Sequence, residues 1–292
     1  MPTLQNDHLR LTLKPIGAEM TSLYHLAQEK EYLWQADPEV WARHAPVLFP
    51  IVGKLKGNQY QVDEQTYTLP QHGFARDLPF ELIKQSPQQA LFRLESDSTT
   101  REKYPFEFRL DIGYALRGSA VRVSYTVANQ GDETMYFSIG AHPGFAICLF
   151  PDEQLDDYYL EFDHAERAAR ALLEGGLFNS ATRPVLTGTP TLPLDAHSFD
   201  EDAIVFKQLK SQKVSLKSRK SDYRVKVCYA GFPYLGIWSK AGAPFVCIEP
   251  WYGLADATDA TGQLSAKEGI LSLGSGKTFQ CHFDIYVGPS VK

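Results

Sequence analysis

The chain has 292 residues, 43% hydrophobic and 22% charged, a balance that supports a large buried core. Its formal net charge of −6 speaks against a nucleic-acid partner, whose phosphates call for an excess of Lys and Arg. No basic run or basic amphipathic helix addresses a membrane, and no stretch approaches the roughly 20 apolar residues that cross a bilayer. The segment Met1–Asp7 lacks the charged and apolar regions of a signal peptide, so the expectation is a cytoplasmic protein with a single domain over residues 1–292.

In chain order, Leu9–Leu13 reads as a short strand, and Pro38–His44 as one or two helical turns after an Asp37 cap. Ala90–Leu94 is a second strand. Phe106, Phe108, Leu110, Ile112, Tyr114 and Leu116 then alternate with polar or small residues, and Val121, Val123, Tyr125 and Val127 continue after an Arg117-Gly118-Ser119 break. Asp163–Glu174 has helix-forming composition, yet tertiary context could equally hold it as a strand. Val214–Leu216, Val225–Tyr229, Phe245–Ile248 and the alternating Phe279–Val287 complete the strands. Helical pattern is scarce and turn signals are frequent, so the predicted class is all-β: a large antiparallel β-sandwich with few short helices. Cys148, Cys228, Cys247 and Cys281 form no C-x-x-C pair, which predicts buried free thiols and gives a four-cysteine zinc site no support.

Chemistry is best sought where the alternation fails and ionisable residues meet Gly and Pro. Three segments do this: Leu69–Asp77 around His72, Ser138–Phe145 around His142, and Val246–Asp256 around Glu249. Glu249 is the sharpest. It closes the apolar run Phe245–Ile248, and Pro250 is expected to end the strand there. A carboxylate in that place should be partly desolvated, which raises its pKa toward the range of a useful base. Each residue alone has a plain structural explanation: a turn histidine bonded to backbone, or a glutamate paired with Arg76 or Lys54. The case rests on the three occurring together.

The segments Pro70–Asp77, Gly140–Phe145 and Ile248–Gly253, with Pro46–Leu55 and Phe199–Phe206, resemble in order the signature blocks of the aldose 1-epimerase (galactose mutarotase) superfamily, most closely its LacX-like branch. The resemblance implies a galactose mutarotase-like supersandwich with an open cleft and no cofactor or metal. It implies that His142 is the general acid toward the ring oxygen and Glu249 the general base toward the anomeric hydroxyl, with His72 beside the ring oxygen as hydrogen-bond partner or second proton source. Asp202 matches an acidic residue that binds sugar hydroxyls. Gly53-Lys54 stands where galactose mutarotases carry Asn-Arg, so Lys54 replaces a bidentate guanidinium. Trp238 stands near the family's substrate-binding glutamine. Arg76 and Trp251 complete the expected substrate contacts, Trp251 through the flat apolar face it offers a sugar ring.

The expected function is therefore interconversion of the α and β anomers of a free aldose, by a monomer or homodimer with a small-molecule sugar as partner. A hexose-6-phosphate 1-epimerase would need cations at the cleft rim, for which Lys54, Arg43 and Arg76 are candidates without clustering in sequence. A carbohydrate-binding protein without turnover is the other reading, against which the matched acid and base of His142 and Glu249 argue. A cupin-like metal enzyme is remote, because its H-x-H spacing is absent.

Overall fold

A computed structural model describes residues 1–289. Strands dominate it. A 15-stranded sheet carries most of the chain, joined by a 4-stranded sheet of the N-terminal residues, a short hairpin of Gln59–Val62 with Gln65–Thr68, and a long-range pair of Met135–Phe137 with Leu271–Leu273. All ladders between named strands are antiparallel, and the large sheet folds back on itself to give the sandwich expected from the sequence. The one α-helix among the described residues is Ser98–Arg101, capped by the Asp97 side chain on the Thr100 amide.

The alternating runs form the ladder that builds the core. Phe108–Arg117 pairs with Ala120–Asn129 from Arg117↔Ala120 outward, so the connection is two residues, with Gly118 at φ +56 taking the turn. Phe108, Leu110, Ile112, Tyr114 and Leu116 all point inward and are buried. They belong to one apolar cluster that runs from Leu4 to Val287 and locks both ends of the chain into the same core.

Several expectations need correction. Pro38–His44 makes a single turn and no helix, with the amides of Val40 and Trp41 both bonded to the Asp37 carbonyl. Asp163–Glu174 is strand, part of Tyr158–Glu174, which forms a long hairpin with Leu177–Pro193. Tertiary pairing there overrides a helical composition. All four cysteines are free, but only Cys247 is fully buried; Cys148, Cys228 and Cys281 are partly exposed. Pro250 does not end its strand, which continues as Phe245–Tyr252. The physical reason lies in the neighbour on one side. That neighbour is split into Gly144–Ala146, paired with Phe245–Cys247, and Ile139–Ala141, paired with Trp251 and Tyr252. Pro250 sits opposite the break, where no ladder bond asks for its missing N–H. Among the described residues no helix is long and apolar enough to cross a membrane.

Candidate active site

The break opposite Pro250 is occupied by His142 and Pro143. Two short strands are interrupted there, so the imidazole leaves the ladder and turns toward the strand Phe245–Tyr252. The His142 amide is bonded to the Pro46 carbonyl at 3.1 Å, and the Pro143 carbonyl accepts from Ile248 at 3.3 Å. Strand alternation sends Val246 and Ile248 into the main core, and Phe245, Cys247, Glu249 and Trp251 to the opposite side. Glu249 thus comes to lie 3.2 Å from His142, Oε2 to Nε2, with 1% of the residue exposed. The pairing with Arg76 or Lys54 considered from sequence does not occur.

His72 arrives from a third segment. Its backbone has φ +68, and the loop is knitted to Phe49–Gly53 by backbone bonds from the His72 amide to the Gly53 carbonyl (2.8 Å) and from the Phe74 amide to the Phe49 carbonyl (3.1 Å). The following Gly73 has φ +71, and a Cβ there would lie 2.2 Å from the Phe49 carbonyl oxygen, so only glycine allows this approach. The Gly53 amide donates to His72 Nδ1 at 3.1 Å. An imidazole accepting at Nδ1 carries its proton on Nε2 when neutral. The His72 and His142 rings meet edge to face with centroids 5.7 Å apart.

These groups open into a cleft of about 300 Å³, at the small end for ligand sites. His72, His142, Glu249, Asp202, Arg76, Trp238 and Trp251 all face it. Trp251 forms its floor. A Cβ on Gly140 would stand 2.7 Å from the Trp251 ring, and one on Gly236 would stand 2.5 Å from it, so glycines on both neighbouring strands make room for the indole. Trp238 meets His142 edge to face at 5.6 Å. Asp202 sits exposed on the rim in a left-handed conformation, φ +67, its Oδ1 accepting from the Ala203 amide. Lys54 is placed differently. Its ammonium donates to the Gly175 carbonyl at 2.9 Å, at the tip of the long hairpin, and its stem packs on Gly176 of the cleft wall.

Other residues of the site were not singled out from sequence. Trp41, in the turn read as helical, stacks near His142 with centroids 5.0 Å apart. Gln71 approaches His72 Nε2 at 3.3 Å, and Leu173 and Phe178 line the wall from the long hairpin. Arg170 is buried on that hairpin and donates through one nitrogen to the carbonyls of Glu201, Asp202 and Ala203 at 2.8, 2.9 and 3.1 Å, fixing the Asp202 loop. Nothing in the alternation around Arg170 marks it. Trp41 carried a signal in its aromatic beside Arg43 and His44, which the helical reading concealed.

Burial sets the electrostatics. It pushes the Glu249 carboxyl well above the ordinary carboxylate range, with Asp202 adding to the rise and the Trp251 indole opposing it. It pushes His142 down to about 3, aided by the charges of Arg76 and Arg43. His72 is also held well below its usual value by burial, then by His142, Arg76 and Arg43. Arg76 itself is lowered to about 10 by burial and by Arg43. Burial thus disfavours charge on both members of the His142–Glu249 pair.

Residues 2–272 match the family described as Aldose 1-epimerase. The plasmid-encoded protein LacX of Lactococcus lactis subsp. lactis is 34% identical, the match covering 97% of this chain and 98% of LacX. A galactose mutarotase-related enzyme from Lactobacillus acidophilus shares the fold with TM-score 0.94 and 36% identity, covering 98% of this chain and 96% of its own. A galactose mutarotase-like protein from Lactobacillus casei gives TM-score 0.91 at 32% identity, covering 98% and 99%. The chain belongs to the aldose 1-epimerase family, whose chemistry is that of a mutarotase-type isomerase.

Proposed function

We propose that the cleft takes a free aldose in its pyranose form and interconverts its α and β anomers. The observation that carries this reading is the His142–Glu249 pair: a donor and an acceptor 3.2 Å apart, desolvated, and facing a sugar-sized space. Anomer exchange has to address two oxygens on one carbon, the ring oxygen and the anomeric hydroxyl. A donor and an acceptor so close together reach both at once.

In the forward direction Glu249 takes the proton of the anomeric hydroxyl while His142 delivers a proton to the ring oxygen. The bond from C1 to the ring oxygen breaks and a carbonyl forms at C1. Rotation about C1–C2 presents the other carbonyl face, and the ring oxygen adds back as His142 recovers its proton and Glu249 returns the other. The pair ends with the single proton it began with. Burial disfavours the imidazolium and the carboxylate alike, so the charged pair that starts this step lies above the neutral pair, and moving the proton from Glu249 to His142 is part of the barrier.

His72 acts as a neutral hydrogen-bond donor in this reading, because Nδ1 is occupied by the Gly53 amide and Nε2–H turns from the Gln71 amide to the sugar. Asp202 accepts from sugar hydroxyls at the rim, and the faces of Trp251, Trp238 and Trp41 cover the apolar side of the ring. Two rim cations named for a phosphate are engaged elsewhere, Lys54 with Gly175 and Arg43 with Asp77 at 2.9 Å, which supports an unphosphorylated substrate. A binder without turnover gains nothing from holding a desolvated acid–base pair, which favours catalysis.

The test is polarimetry of freshly dissolved α-glucose and α-galactose, with their 6-phosphates in parallel. The wild type is expected to speed relaxation of the free sugars, and His142→Asn to lose at least about 100-fold. Unchanged relaxation across the whole panel would reject catalysis.

A further inference from the structure

The acid–base pair leaves one buried group beside it unused. Cys247 lies two residues before Glu249 on the same side of the strand, and its thiol is fully buried. One imidazole nitrogen of His142, the Cys247 sulfur and one Glu249 oxygen all lie within 4.8 Å of one another. The Glu249 Oε2 atom stands 3.2 Å from His142 Nε2 without the alignment of a hydrogen bond, although the residue is 1% exposed. Two strand positions on one side and a residue from the break opposite thus aim three different donors at one point.

We propose that His142, Cys247 and Glu249 form a site for a zinc-type divalent cation, its fourth position open to the cleft, so that the cation and the sugar exclude each other. The mixed nitrogen, sulfur and oxygen set suits Zn²⁺ and its borderline-soft neighbours, whereas Mg²⁺ and Ca²⁺ ask for oxygen alone. Tetrahedral zinc with bonds of about 2.0–2.3 Å separates its ligand atoms by roughly 3.3–3.8 Å. His142 and Glu249 already stand at 3.2 Å, and the sulfur lies within 4.8 Å of both, so the site closes by a movement of the sulfur of about 1 Å or less toward the pair. On binding, the thiol and the His142–Glu249 pair each release a proton to solvent, and the three protein atoms each supply a lone pair.

The site is reversible, not structural. A permanent zinc histidine hands its second ring nitrogen to a carboxylate or carbonyl, but His142 Nδ1 is buried with no partner. The missing partner corresponds to about 10–100-fold in affinity. The cation then behaves as a dissociable inhibitor that takes the acid, the base and the space between them. Only this last consequence, competition with sugar, rests on the function proposed above.

The full-length protein is stripped with EDTA, dialysed and titrated with Co²⁺, then with Zn²⁺. One equivalent of Co²⁺ is expected to bring a thiolate-to-cobalt charge-transfer band in the near ultraviolet, which Zn²⁺ abolishes. Cys247→Ala, verified by an unchanged cooperative melt, is expected to lack the band and bind Zn²⁺ about 100-fold more weakly. Absence of the band in the wild type, or equal Zn²⁺ affinity in Cys247→Ala, overturns the site. In the rate assay Zn²⁺ should raise KM for the sugar in the wild type and leave that of Cys247→Ala unmoved; a fall in kcat at constant KM overturns the competition. A band without any mutarotation sinks the sugar reading and leaves the metal site standing, whereas mutarotation without a band does the reverse.

Discussion

Replacing Glu249 with Gln changes one oxygen for an amide and leaves the shape of the side chain intact. Two consequences follow from one cause. The proposed base is gone, so the mutarotation rate should fall by about 10²–10⁴-fold, roughly 3–5 kcal/mol in barrier. Stability should move the other way, with a sign fixed by the raised pKa. Burial holds the folded carboxyl above its ordinary value of 4.5, so the folded state binds a proton that the unfolded chain releases. The wild type therefore keeps this contribution below about pH 4.5 and loses it as pH rises toward the folded pKa, by at most about 1.4 kcal/mol per pH unit. The amide of the variant does not titrate. The stability of Glu249→Gln relative to wild type should thus grow between pH 5 and pH 8, read from urea midpoints in EDTA. Repeating the comparison in a His142→Asn background lets the carboxyl titrate without its partner. A stability difference that stays flat across this range, or a variant that keeps its rate, would refute the account of Glu249 as a desolvated base.

Gly236→Ala should place a Cβ about 2.5 Å from a Trp251 ring that Gly140 hems in from the other side. The expected cost is about 1–3 kcal/mol in urea unfolding, with a higher KM as the cleft floor shifts. Arg170→Met should free the Asp202 loop, raising KM while kcat stays within a few-fold, and Arg170→Lys should recover part of the affinity; an equal fall in kcat would show that the loop serves the chemistry instead. EDTA should leave the mutarotation rate unchanged, and a loss of rate restored by added metal would assign the cation an active part.

The sandwich was legible because period two is a local signal: Phe108–Arg117, Ala120–Asn129 and Thr278–Val287 appear almost to the residue in the alternation. His72, His142 and Glu249 were legible for the opposite reason, since each stands where alternation breaks. What escaped the sequence depends on partners far along the chain. The composition of Asp163–Glu174 leaves it open between helix and strand, and it becomes strand because Leu177–Pro193 and, at Ala171, Ile204–Phe206 pair with it. Pro250 reads as a terminator because the split of its neighbouring strand cannot be seen locally. Lys54 was assigned to the sugar on position alone, while the residue that takes its ammonium, Gly175, lies 121 positions away. Arg170 was missed because a buried guanidinium that binds carbonyls has no sequence mark distinguishing it from a surface arginine.

The long hairpin Tyr158–Glu174 and Leu177–Pro193 supplies Leu173, Gly176 and Phe178 to the cleft but neither member of the acid–base pair. It is tied down near its tip by Lys54 on Gly175 and by backbone bonds of Phe178 with Asp256 and Thr258. Reaction and admission are thereby placed on separate pieces of chain. If the cleft takes a sugar as proposed, substitutions at the hairpin tip should alter which substrates enter while the strand Phe245–Tyr252 and the His142 break stay as they are.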